Sequence, residues 1–131
     1  MRQPQKIVVH YLDGRLLRGR SKFFFRGQET VRVVNLRGRT VRVPLSEVKA
    51  IFFVRRLRGR QDYHEKKRFT STSPSFGRRV QVKFLDGEVL RGSSLNYRPG
   101  EKGFYLKPSD PASNNDMVFI PLSALKGIKV K

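Results

Sequence analysis

Nearly all the side chains in this sequence that could do chemistry are cations. Lys and Arg number 29 against 10 Asp and Glu, a formal charge of +19 spread over 131 residues. The densest run, Arg55-Arg56-Leu57-Arg58-Gly59-Arg60, is followed by Lys66-Lys67-Arg68 and Arg78-Arg79, with Tyr63, Phe69 and Phe76 set among them. Guanidinium groups neutralise phosphate and stack on bases, and aromatic faces take bases too, so this mixture suits single-stranded nucleic acid. A second set is spaced for strands. In Val31-Arg32-Val33 and Val41-Arg42-Val43 each arginine alternates with β-branched residues and points away from a core. Arg37-Gly38-Arg39 lies between those two stretches, and Arg15, Arg18 and Arg20 surround an earlier turn.

Other chemistries find little material. There is no Cys, so there is no disulfide framework, thiolate metal site or cysteine nucleophile. His10 and His64 have no carboxylate, Ser or Cys arrangement that reads as catalysis or a metal site. No Gly-rich phosphate loop is present. The expectation is a protein that is not an enzyme and carries no cofactor or metal. No apolar run is long enough to span a membrane, and residues 1–6 lack the apolar core of a secretory signal, so a soluble cytoplasmic protein is expected.

The elements that must hold these cations come in two copies. Ile7-Val8-Val9-His10-Tyr11-Leu12-Asp13-Gly14 lies 73 positions before Val80-Gln81-Val82-Lys83-Phe84-Leu85-Asp86-Gly87. The match continues through Leu17-Arg18-Gly19 and Leu90-Arg91-Gly92 to Ser21 and Ser94, with eight identities in the fifteen positions from Ile7. A second anchor pairs Val43-Pro44-Leu45-Ser46 with Ile120-Pro121-Leu122-Ser123 at an offset of 77. Four residues have therefore been gained between the anchors, near Pro108-Ser109-Asp110-Pro111-Ala112-Ser113-Asn114-Asn115.

Within each copy apolar residues alternate, and Asp-Gly separates two alternating runs, a hairpin signal. Strands are expected at about 7–11, 15–25, 30–36, 40–43 and 48–54, with Pro44-Leu45-Ser46 as one 3₁₀ turn, and at the matching positions of the second copy. The fold class expected is all-β: two tandem five-stranded small barrels, residues 1–54 and 80–131, joined by a basic, partly flexible connector, residues 55–79. The three segments carry net charges of +9, +3 and +7 in that order, so the first unit and the connector hold most of the excess.

Val80-x-Val82-x-Phe84-x-x-Gly87-x-x-x-x-Gly92-x-x-x-x-Tyr97 resembles the first motif of the Sm-like family, and Phe119-Ile120-x-x-x-x-Leu125-x-x-Ile128 is similar to its second. The first copy matches through Val9, Tyr11, Gly14, Gly19, Val43, Val48 and Ile51. The resemblance implies a small five-stranded barrel and RNA binding. The pair that contributes to the family's RNA pocket is Pro44-Leu45 and Pro121-Leu122 here, so no pocket residue carries over. Phe84-Leu85-Asp86-Gly87-Glu88 and Ser113-Asn114-Asn115 also resemble an uncharacterised bacterial domain found beside signalling modules.

Three functions compete. The first is nucleic-acid binding, RNA or single strands favoured, through Arg32, Arg37, Arg39, Arg42, Arg55, Arg56, Arg58, Arg60, Lys66, Lys67, Arg68, Arg78 and Arg79, with Tyr63, Phe69 and Phe76 as stacking residues. The second is a cyclic-dinucleotide effector of the cyclic di-GMP type, since Arg56-x-x-x-Arg60 is similar to the arginine motif that precedes the barrel of PilZ domains. The third is an adaptor for an acidic protein, with the triplet Phe23, Phe24 and Phe25 or an exposed barrel edge as the contact. A free edge is also where a second copy of the chain would pair to make a homo-oligomer. The triplet itself reads as core or interface before it reads as an exposed stacking platform.

Overall fold

The computed structural model describes residues 3–57, 77–94, 96–98, 100–109 and 114–131. Ten strands form in chain order: β1 Gln5–Tyr11, β2 Leu16–Ser21, β3 Thr30–Asn35, β4 Thr40–Pro44, β5 Val48–Val54, β6 Arg78–Phe84, β7 Val89–Ser94, β8 Gly103–Pro108, β9 Asn115–Pro121 and β10 Leu125–Val130. Single 3₁₀ turns at Leu45–Glu47 and Leu122–Ala124 lead into β5 and β10. Among the described residues no helix is long and apolar enough to cross a membrane.

All pairs are antiparallel and make one ten-stranded sheet, in the order β10-β6-β7-β8-β9-β5-β1-β2-β3-β4. The protein is all-β, as the alternation predicts. In place of two separately closed barrels, the sheet runs unbroken through the middle, where β5 of the first copy pairs with β9 of the second. The physical reason is an exchange of core residues. Phe119 of β9 is fully buried in the first hydrophobic core with Ile7, Val9, Val33 and Ile51. Ala50 of β5 is fully buried in the second with Val80, Phe84, Leu106 and Ile120, and Phe52 packs against it. Burying one Phe contributes about 2–3 kcal/mol, so each half supplies part of the other's stabilisation.

The repeated residues hold repeated parts. Gly14, Gly38 and Gly87 take positive φ in three tight turns of one design, in which the N–H of the Gly donates to the carbonyl three residues back. Gly19 and Gly92 serve another purpose. A Cβ on Gly19 would overlap the Val34 carbonyl oxygen, and one on Gly92 the Lys107 carbonyl, so only Gly permits β2 to meet β3 and β7 to meet β8. Just beyond, β2 stops at Ser21, short of the longer strand its sequence predicts. The Ser21 hydroxyl accepts the Phe23 N–H at 3.1 Å, and Ser94 Oγ accepts that of Tyr97 at the same distance, so a side chain replaces the ladder where each chain turns away.

Candidate nucleic-acid interface

On the first half, the inward row Ile7, Val9, Val31, Val33 and Val43 belongs to the core. Alternation then places Lys6, Arg18, Arg20, Arg32 and Arg42 on the outward face, all exposed. The register brings them together. Arg32 stands directly opposite Arg42 across β3–β4, and Lys6 directly opposite Arg20 across β1–β2. Arg20 in turn faces Val34, two residues from Arg32 along β3. Among the described residues, none of these five side chains has a carboxylate partner; Arg18 Nε donates to the Leu57 carbonyl at 3.1 Å. Like charges placed directly opposite destabilise a sheet, by a few tenths to 1 kcal/mol. An anion between them removes that cost and makes charge-assisted hydrogen bonds.

The other expected residues fall in three places. Arg37 and Arg39 flank Gly38 in the β3–β4 turn, where both backbone N–H groups donate to Asn35 Oδ1, at 2.9 and 3.0 Å, and both residues are exposed at the end of the hairpin that carries Arg32 and Arg42. Arg55 and Arg56 leave the end of central strand β5. Arg55 Nε meets Asp116 at 2.6 Å, and Asn114 holds the Arg56 backbone from both sides, its Oδ1 accepting the N–H and its Nδ2 donating to the carbonyl. Arg78 and Arg79 open strand β6, seven places removed from β3 in the sheet order. Arg58, Arg60, Tyr63, Lys66, Lys67, Arg68, Phe69 and Phe76 lie outside the described residues.

Lys6 is the recruit that sequence reasoning passed over; Arg18 and Arg20 were placed around the first turn but not counted among the expected binding residues. The signal was present: Arg18 and Arg20 alternate with Leu17 and Gly19 as Arg32 alternates with Val31 and Val33. What was missing was the register that sets Lys6 against Arg20.

The aromatic triplet is split by the fold. Phe23 is buried in the first core, Phe25 packs 4.8 Å from Phe119, and Phe24 between them is 43% exposed. Phe24 and Tyr105 form a wall of a cleft of about 530 Å³ that also includes Lys6, Phe53 and Asp116. A second cleft of about 620 Å³ brings together Pro44-Leu45-Ser46 and Pro121-Leu122-Ser123, the same tripeptide from both copies.

Two ionisable groups mark the contact between the halves. Lys49 Nζ on β5 reaches Asp86 at 2.7 Å and Glu88 at 2.5 Å in the β6–β7 turn. Burial pulls the Lys49 pKa down, but its bonds to the two carboxylates outweigh this and hold it above the ordinary lysine value. His10 packs 4.3 Å from Phe52; burial, with the nearby Lys49 charge second, lowers its pKa to about 4, so the ring is neutral near pH 7. Among the described residues no His, Asp or Glu cluster is arranged to hold a metal.

A family model matches residues 3–131 of the chain. The chain belongs to DUF6982, a family of unknown function. No curated protein and no solved structure matches the chain. Family membership therefore carries no ligand with it, and a functional reading rests on the cationic face itself.

Proposed function

We propose that this DUF6982 protein binds nucleic acid without catalysing a reaction, through the outward face of its first half: Lys6, Arg18, Arg20, Arg32 and Arg42, with Arg37 and Arg39 at the rim. The observation that carries this reading is the Arg32–Arg42 pair, two exposed arginines directly opposite each other with no carboxylate partner among the described residues. Such a pair costs stability when empty and suits a phosphate oxygen when filled. Each half, with its own core and the same order of strands, is read as a small barrel-type unit similar to the Sm-like family. The basic segment after Arg56 would extend the contact along the ligand, and the second half, nearer to neutral, would serve as support.

Phosphate neutralisation would supply most of the affinity, which should therefore fall steeply with salt. The test is a titration of a labelled short oligonucleotide at low and at high salt, with wild-type protein and with Arg32→Ala/Arg42→Ala. Binding at low salt is expected, with the double variant about tenfold weaker and its salt slope shallower by about one to two. Lys126→Ala/Lys129→Ala removes the same charge from β10, at the far edge of the sheet, and should change binding little. No binding at low salt, or equal losses in the two double variants, would overturn the assignment of this face.

A further inference from the structure

We propose that Phe24 is a nucleobase-stacking residue, which makes the ligand of the cationic face single-stranded. This rests on the nucleic-acid reading above and adds a specific site to it. Phe24 is an exposed aromatic ring whose two neighbours are anchored. Phe23 is buried in the first core with its N–H on Ser21, and the Phe25 N–H donates to the Tyr105 hydroxyl at 3.0 Å. Gln28 Nε2 donates to the Phe24 carbonyl at 2.9 Å and fixes the peptide between them. The backbone that carries the ring is therefore held on both sides while the ring stands at the surface, and a held backbone lowers the ordering cost of a stacking contact.

Its surroundings fit a base on a phosphate backbone. Tyr105 lies beside it with centroids 6.1 Å apart and planes 23° from parallel, and the Arg26 guanidinium lies 5.6 Å from the ring centroid. Base faces stack on aromatic rings and on guanidinium planes alike. The cleft beside Phe24 is continuous with the cationic face, because Lys6 belongs to both: it lines the cleft and stands opposite Arg20 in the sheet. The chain leaving β2, the strand that presents Arg18 and Arg20, passes from Ser21 to Phe24 within three residues. Among the described residues, the one carboxylate lining the cleft, Asp116, is bonded to Arg55, so its charge is compensated where a phosphate would pass. A chain crossing the arginines would thus bring its next base to the aromatic wall. A duplex, with its bases stacked inside, would reach only the arginines.

The chain contains no Trp, which gives a direct readout. Phe24→Trp installs a single indole, and its emission should be quenched on titration with oligothymidylate and left unchanged by a duplex of equal length. In parallel, Phe24→Ala should bind oligothymidylate about tenfold more weakly while its duplex affinity stays as in wild type. Because Phe24 is exposed, neither change should lower the melting temperature by more than a few degrees, and circular dichroism checks that. Unaltered oligothymidylate binding by Phe24→Ala, or equal losses for single strand and duplex, overturns the stacking assignment. If Arg32→Ala/Arg42→Ala still loses affinity in that case, the cationic face stands without it. If wild-type protein binds neither probe at low salt, both proposals fall.

Discussion

The outward faces of β3–β4 and β8–β9 descend from the same duplicated strands and meet opposite fates. In the first half the facing pair is Arg32 and Arg42; at the same repeat positions the second half has Tyr105 and Phe119, also directly opposite each other. Tyr105 and Phe119 pack 5.3 Å apart under Phe25, at the join with β5. The last strands of the two halves repeat the contrast. Lys129 on β10 occupies the position of Phe52 on β5, and β10 is exposed or half-buried throughout where β5 is mostly buried. A duplicated unit evidently has one face and one edge to spare. Apolar residues there create a seam; cations there leave the surface wet, discourage strand addition by another chain, and attract anions.

The contrast can be broken most severely at the seam. Phe119→Arg, which copies the first half's residue into the second, places a charge in a fully buried site and should cost about 4 kcal/mol or more, seen as loss of the cooperative unfolding transition. Gly92→Ala should cost about 3 kcal/mol in urea denaturation, because the new methyl meets a backbone carbonyl that cannot rotate aside, and Gly19→Ala should behave alike if the halves are built on one plan.

Acid tests the contact between halves. The folded His10 pKa of about 4 lies below its ordinary 6.5, so the unfolded chain takes up the proton first. The contribution is complete above about pH 6.5 and is lost as pH falls towards 4, on the order of 2 kcal/mol after allowance for partial exposure. His10→Gln should flatten that part of the stability–pH curve. Lys49→Met should cost about 1 kcal/mol, and the loss should shrink at high salt, since it removes a half-exposed ion-pair network. The smallest effect has the opposite sign. Arg42→Thr relieves the like-charge pair and should raise stability by a few tenths of a kcal/mol at low salt while weakening oligonucleotide binding. A variant at once more stable and less able to bind would mark Arg42 as kept for its ligand.

Much of this was readable from residue order. Alternation located nearly every strand within a residue or two, and the two offsets, 73 and 77, with the turn composition of residues 108–115, put the insertion between β8 and β9. β2 was overestimated, because Lys22 and Phe23 continue the alternating pattern while Ser21 ends the ladder through its hydroxyl, a choice that depends on β3 lying alongside. The site was half legible. Arg32 and Arg42 announce their direction by their neighbours, but nothing local says that they face each other, that Lys6 joins them, or that Phe24 is the most exposed of three adjacent phenylalanines.

The duplication that provides the strands is thus a property of the sequence by itself, because turns, alternation and close-packed glycines are enforced within a few residues. So is the excess of positive charge, which needs no fold to be counted. Which copy's outward face is buried, and which remains to hold arginine pairs, was decided only when β5 met β9. That pairing joins residues more than sixty positions apart, and its free energy lies in Phe119, Ala50 and Phe52 crossing into each other's cores.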